Sequence, residues 1–295
     1  MALVSGARRR ILALAALSLV AAAGTLWWLG GRIMAPNPHP VGPPPVDLPV
    51  RPVAFRSLSG APVHGWLIPG AGDAAVLLMH GSGGDRASML GRARLLHQAG
   101  YTVLTIDLQA NGESPGTQET IGFLESLDAH AAVDYLRTAA GARRVGVIGF
   151  SLGGAAALLG PRGPVAADAL VLEAVYPTIE EAIADRIRLR LGSWSGWLYP
   201  LFSWQIRPRL GIAPADLRPI ERIGAIAAPV LIVGGAEDRH TTPAETRRLY
   251  AAAPALKRLW LVPGAAHQDF YATAPEAYRQ QVLGFLAETL GRPAP

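Results

Sequence analysis

The chain runs to 295 residues, half of them apolar, enough to bury a substantial core in one large domain or two small ones. Its formal net charge of +5 comes almost wholly from arginine, Lys257 being the one lysine. Outside Arg8-Arg9-Arg10 the arginines are scattered, which argues against a nucleic-acid binder. With no cysteine, the sequence excludes disulfides, thiolate metal sites, a cysteine nucleophile and a lipid-modified cysteine, and it leaves the compartment open.

Residues 1–31 differ in character from the remainder of the chain. Arg8-Arg9-Arg10 precede an apolar stretch that carries no charge before Arg32. At about 1.5 Å of rise per residue such a helix reaches roughly 30 Å, the thickness of a bilayer core. Two readings are open. Residues 11–20 suit a signal-peptide core, with Ala21-Ala22-Ala23 as its cleavage site. The preferred reading is an uncleaved single-pass anchor with Trp27-Trp28 at the far interface. Under either, the positive charges keep the amino terminus in the cytoplasm. The rest is then expected on the periplasmic, extracytoplasmic side of a bacterial inner membrane, or secreted after cleavage. Residues 32–52 hold seven prolines between Pro36 and Pro49, the composition of a stiff linker that would stand the domain off the membrane, with His39 solvated within it.

From residue 53 the pattern becomes globular and continues to 292. Residues 53–55 and 63–68 read as paired strands, and Val76-Leu77-Leu78-Met79 as a short strand covered on both faces. Residues 86–98 predict a helix closed near Gly100, 101–106 a strand, 119–138 a helix and 144–148 a strand. That last strand ends in Gly149-Phe150-Ser151-Leu152-Gly153 and runs into a small-residue helix, the form of a nucleophile elbow. The turn strains the serine backbone, so the residues two before and two after must be tiny. Strands then come at 169–172, 230–233 and 258–262, with helices at 243–252 and 275–290. This alternation predicts an α/β fold, a doubly wound and mostly parallel sheet with helices on both faces. Residues 178–222 break the rhythm, being too long for one crossover helix.

A serine nucleophile needs a base, an acid to hold that base, and two donors for the oxyanion. Candidates stand where strands end. Gly234-Gly235-Ala236-Glu237-Asp238 follows one late strand, and Pro263-Gly264-Ala265-Ala266-His267 follows the next. His80-Gly81-Ser82-Gly83-Gly84 follows an early one. The order Ser151, Asp238, His267 is the nucleophile–acid–base order that goes with this elbow. Glu237, beside Asp238, and Glu173, ending an earlier strand, are rival acids, while His240 is read as a loop histidine.

Over residues 53–290 the chain resembles the α/β-hydrolase superfamily, closest in pattern to its bacterial esterase and serine-aminopeptidase-like branch. His80-Gly81 matches the family's oxyanion loop. Asp107-Leu108-Gln109-Ala110-Asn111-Gly112-Glu113-Ser114 resembles its D-x-x-G-x-G-x-S loop, with Ala110 in place of the usual glycine and Asn111 of the frequent histidine. Gly235 to Asp238 and Gly264 to His267 match the acid and base motifs. The resemblance implies a Ser-His-Asp triad of Ser151, His267 and Asp238 working through an acyl-enzyme, with the backbone N–H groups of Ser82 and Leu152 as oxyanion hole. It implies no metal and no organic cofactor. It makes His80 a brace of the oxyanion loop, and Asp107, Glu125 and Asp128 structural.

Residues 178–222 fall where this fold carries a helical lid. Residues 179–191 have helical spacing, and Trp194, Trp197, Tyr199, Phe202 and Trp204 come after them. Most of these rings are expected to pack the lid onto the domain. Trp194, Trp197 and Phe202 are also candidates for an apolar acyl pocket or a patch on the membrane surface. The sequence points to a carboxylic-ester hydrolase on an apolar small substrate, with no nucleic-acid partner and a membrane reached through the N-terminal helix. A peptidase, thioesterase or acyltransferase would use the same triad. A catalytically silent binding module is the remaining alternative.

Overall fold

The computed structural model describes residues 2–291, so Met1 and the expected boundary at 292 lie outside the described residues. Eight strands form the central sheet: β1 (Arg51–Arg56), β2 (Pro62–Ile68), β3 (Ala74–Met79), β4 (Thr102–Ile106), β5 (Arg144–Phe150), β6 (Ala169–Glu173), β7 (Val230–Gly235) and β8 (Lys257–Val262). Their order across the sheet is β8-β7-β6-β5-β3-β4-β2-β1. Strands β3 to β8 run parallel; β1 and β2 form an antiparallel edge, with β2 antiparallel to β4. The chain leaves β3 for β4 on one side and returns to β5 on the other. The switch point therefore falls between β3 and β5, where a crevice opens beyond their carboxyl ends.

The apolar run of β3 is buried at every position because both faces are covered. Alternate side chains enter separate cores, Leu77, Met79 and Val147 on one face and Val76, Leu78 and Ile148 on the other. Burying each such large side chain contributes roughly 1.5–3 kcal/mol, so the central strands hold the elbow on the most stable part of the molecule.

Helix α1 (Ala2–Ile33) carries the apolar segment Arg10–Ile33, long and apolar enough to cross a membrane. Helices α2 (Leu90–Gln98), α3 (Glu125–Thr138), α4 (Leu152–Ala156) and α5 (Ile179–Leu191) come next. Helix α3 starts later than its expected onset at 119. The Glu125 carboxylate accepts from Thr120 N–H (2.7 Å), Thr120 Oγ1 (2.6 Å) and Gly122 N–H (2.9 Å), folding residues 120–124 into a tight turn with Ile121 at φ 58°. The expected helix 275–290 is one helical run that carries a π turn at Arg279–Leu283.

Within the lid, α5 has the expected bounds, with the Thr178 hydroxyl accepting from Glu181 N–H at 3.3 Å. A 3-10 turn (Ser193–Leu198), α6 (Pro200–Ser203) and α7 (Ile206–Leu210) complete its first half. The lid's rings do not pack inward as expected: Trp194, Trp197 and Trp204 are more than half exposed. The linker differs too. Residues 37–38 pair in parallel with Asn111 and Gly112, so this stretch lies along the domain instead of standing it off. His39 is not simply solvated, since its Nε2 bonds the Asp85 carboxylate at 3.0 Å.

Candidate active site

Ser151 sits between β5 and α4 with φ 49° and ψ −107°. For a non-glycine residue this conformation costs on the order of 1–3 kcal/mol and persists only where the surroundings enforce it. Here the backbone enforces it from both sides. Ser151 N–H donates to Glu173 O at 2.7 Å, and Gly153 N–H to His80 O at 3.0 Å. The flanking glycines are obligatory: a Cβ on Gly149 would lie 2.5 Å from the Gly153 carbonyl, and one on Gly153 2.5 Å from Met79 O.

The loops after β7 and β8 bring two further side chains to this turn. His267 Nε2 lies 3.2 Å from Ser151 Oγ, and His267 Nδ1 lies 2.8 Å from Asp238 Oδ2. The other Asp238 oxygen accepts from His240 N–H (2.7 Å) and Thr241 N–H (2.9 Å), so the carboxylate is fixed in direction. Burial pushes the Asp238 pKa up, but the bond and charge of His267 and these two amides outweigh it and hold the carboxyl below its usual range. The His267 ring is also packed, with Phe150 tilted against it at 5.3 Å and His240 stacked at 5.2 Å. Burial, then the neighbouring charges of His267 and Arg186, lower the His240 pKa, so this second imidazole favours its neutral form.

Leu152 is the first residue of α4, where leading N–H groups have no partner inside the helix. The His80–Gly84 turn faces it: a Cβ on Gly81 would lie 3.5 Å from Ser151 Cβ. His80 is buried between loops, with Nδ1 donating to Gly81 O at 2.7 Å and Nε2 accepting from Leu108 N–H at 3.0 Å. That burial lowers its pKa, which suits the neutral tautomer these two bonds require. Ser82 Oγ donates to Glu119 Oε1 at 2.7 Å, and burial raises the Glu119 pKa. Asn37 Nδ2 donates to Gly83 O at 3.0 Å, so the linker clamps this loop.

The structure thus brings Ser151, Asp238 and His267 together, with Leu152 next to the serine in the chain and Gly81, the neighbour of Ser82, against it. Both rival acids are elsewhere. Glu173 is buried and occupied by Arg92 Nη2 (2.6 Å) and Tyr278 OH (2.5 Å), and Glu237 is exposed. Asp107 accepts from the Arg86 amide (2.7 Å) and the Glu113 amide (2.9 Å), and Asp128 from the Gln109 amide (2.7 Å), so both carboxylates close loops. Trp194 and Trp197 face outward and Phe202 is half-buried. A cavity of about 420 Å³ lies between the His80–Gly84 loop, at Ser82 and Gly83, and the foot of α1, at Arg32 and Ile33. Neither tryptophan nor Phe202 lines it. Sequence reasoning missed the roles of Glu119, Asn37 and Phe150 and the Arg92–Glu173–Tyr278 network. Phe150 lies inside the elbow motif, but its packing on the His267 ring is set by the fold, and the others carry no motif. Among the described residues no cluster of three or more His, Asp or Glu side chains is placed to hold a metal ion.

Comparison with known proteins adds a family. The model described as "Alpha/beta hydrolase family" matches residues 76–281. An uncharacterized Mycobacterium tuberculosis protein, Rv2307c, is 31% identical over 294 residues, covering 96% of this chain and 97% of its own. The Arabidopsis thaliana alpha/beta hydrolase domain-containing protein WAV2 is 26% identical over 84% of this chain and 82% of its own. Among solved structures, the Pyrococcus furiosus esterase Pf2001 superposes with a TM-score of 0.70 at 23% identity, covering 86% of this chain and 100% of its own.

Proposed function

The chain belongs to the alpha/beta hydrolase family, and from that premise we propose that it is a serine hydrolase cleaving carboxylic esters through an acyl-enzyme on Ser151. The observation that carries this reading is the continuous line from Ser151 Oγ to His267 Nε2 at 3.2 Å and from His267 Nδ1 to Asp238 at 2.8 Å. Ser151 Oγ attacks the ester carbonyl carbon as its proton passes to His267 Nε2. The carbonyl oxygen becomes an oxyanion held by the Ser82 and Leu152 amides, each such donor being worth about 3 kcal/mol in the transition state. The bond to the alcohol oxygen breaks, and the alcohol leaves with the proton from His267. Water then gives its proton to His267 and attacks the acyl carbon; collapse returns the proton to Ser151 and releases the acid. Asp238 holds the imidazole with Nδ1 protonated and stabilises the imidazolium.

The ester preference is supported by structural neighbours that are esterases. The same proposal places the domain at a membrane by the single span Arg10–Ile33, with Arg8 to Arg10 on the cytoplasmic side and residues from 34 onward on the extracytoplasmic side. A panel of p-nitrophenyl esters of rising chain length tests the chemistry. Turnover by the wild type that falls to background in Ser151→Ala is expected. Absence of turnover on every ester favours the silent binding module.

A further inference from the structure

The lid turns large apolar side chains to the outside. Leu191 (58% exposed), Trp194 (66%), Trp197 (67%), Leu201 (42%) and Trp204 (56%) belong to one short segment of helical turns. Burial of apolar surface gains about 25 cal/mol per Å², so five large apolar side chains left in water within fourteen residues mark a surface that meets something apolar.

This face continues into α1. The Trp204 ring lies 5.5 Å from that of Trp27, and Gln205 Nε2 donates to Leu26 O at 3.1 Å. The Arg209 guanidinium stands 3.8 Å over the Trp27 ring and donates to its carbonyl. The height of that junction is set by the helix. Twenty residues from Ile11 at about 1.5 Å each cover the roughly 30 Å hydrocarbon layer and end near Gly30. Trp27 then lies about 5 Å inside the far boundary, the depth at which indoles settle. Trp204, packed on Trp27, reaches the same depth, with Arg207 exposed and Arg209 nearby to meet headgroup phosphates. Arg32 and Ile33, just beyond the boundary, form one wall of the cavity whose other wall is Ser82 and Gly83 of the oxyanion loop together with Glu119.

We propose that the Trp194–Trp197–Trp204 face of the lid rests in the lipid surface from which α1 emerges, and that the site draws a membrane-dissolved, lipophilic ester through the cavity at the helix foot. This inference rests on the hydrolase and anchor readings and names the substrate class for that site.

The absence of cysteine allows a single reporter thiol. Full-length Trp197→Cys, and Leu256→Cys as control, are labelled with an environment-sensitive nitrobenzoxadiazole dye and reconstituted in phosphatidylcholine–phosphatidylglycerol vesicles. Leu256 is 64% exposed and just precedes β8, at the amino end of the strand whose other end leads to the His267 loop. The dye at 197 is expected to shift to the blue and be quenched by acyl-chain nitroxides while the dye at 256 stays water-like. A water-like dye at 197, or loss of the protein from vesicles in an alkaline wash, overturns the inference. In the Trp194→Ala/Trp197→Ala/Trp204→Ala variant, turnover of a long-chain ester presented in vesicles is expected to fall about tenfold, equivalent to ~1.4 kcal/mol, and turnover of a soluble short-chain ester to hold. Equal effects on both esters, or on neither, overturn the substrate half. Labelling of Ser151 by a fluorophosphonate, run beside these assays, reports separately on the hydrolase reading.

Discussion

Ser151 holds a left-handed backbone angle because every neighbour requires it: Glu173 O and His80 O take the amides on either side, and Gly149 and Gly153 leave no room for a methyl group. The proposed triad depends on that rigidity, since a hydrogen bond of 3.2 Å tolerates little drift. Asp238→Asn tests how the proposed base is held. An amide nitrogen facing His267 Nδ1 would favour the tautomer with Nε2 protonated, so kcat is expected to drop by about 10⁴ with the fold intact. A loss smaller than tenfold would show that Asp238 does not orient the base. At this scale the motifs were readable because the elbow, the acid loop and the base loop each come directly after a strand. The rivalry of Glu173 with Asp238 was not resolvable from the sequence. Only the fold shows that Arg92, from α2, and Tyr278, from the C-terminal run, occupy the Glu173 carboxylate.

Among the elements, the strands and α5 were legible because apolar runs and helical spacing decide them. The onset of α3 was not. Residues 119–124 carry helix-compatible side chains, yet the Glu125 carboxylate collects three donors and diverts them into a turn, leaving Glu119 to meet Ser82. The outward lid was also missed, because aromatic content alone does not say which way rings face. Buried carboxyls on α3 give this element a pH signature. Burial pushes Glu125 and Asp128 each up to about 7, above the ordinary carboxylate range. A raised carboxyl pKa means that the folded state binds the proton more tightly than the unfolded chain. The stability it adds is complete below about pH 4, declines as pH rises toward 7, and is flat above. Thermal melts of Asp128→Asn are therefore expected to show a shallower decline between pH 5 and 7 than the wild type. A parallel slope would mean that Asp128 is already ionised in that range.

The whole molecule joins an apolar N-terminal helix, a linker laid along the domain, and a cavity between the helix foot and the His80–Gly84 loop. Proline content marked the linker but could not show that Asn37 reaches Gly83 of the His80–Gly84 loop, because that contact is set by the 37–38 pairing with 111–112. The linker is thereby part of the site's support, and the enzyme is best studied at full length. On the proposed function, Ser151 is a nucleophile made reactive by His267. Intact-mass spectrometry of the protein after exposure to a fluorophosphonate reads that reactivity at the serine itself. A single adduct is expected on the wild type, mapped to Ser151, absent in Ser151→Ala and strongly slowed in His267→Ala; no adduct, or the same adduct in Ser151→Ala, would mean that Ser151 is not the nucleophile.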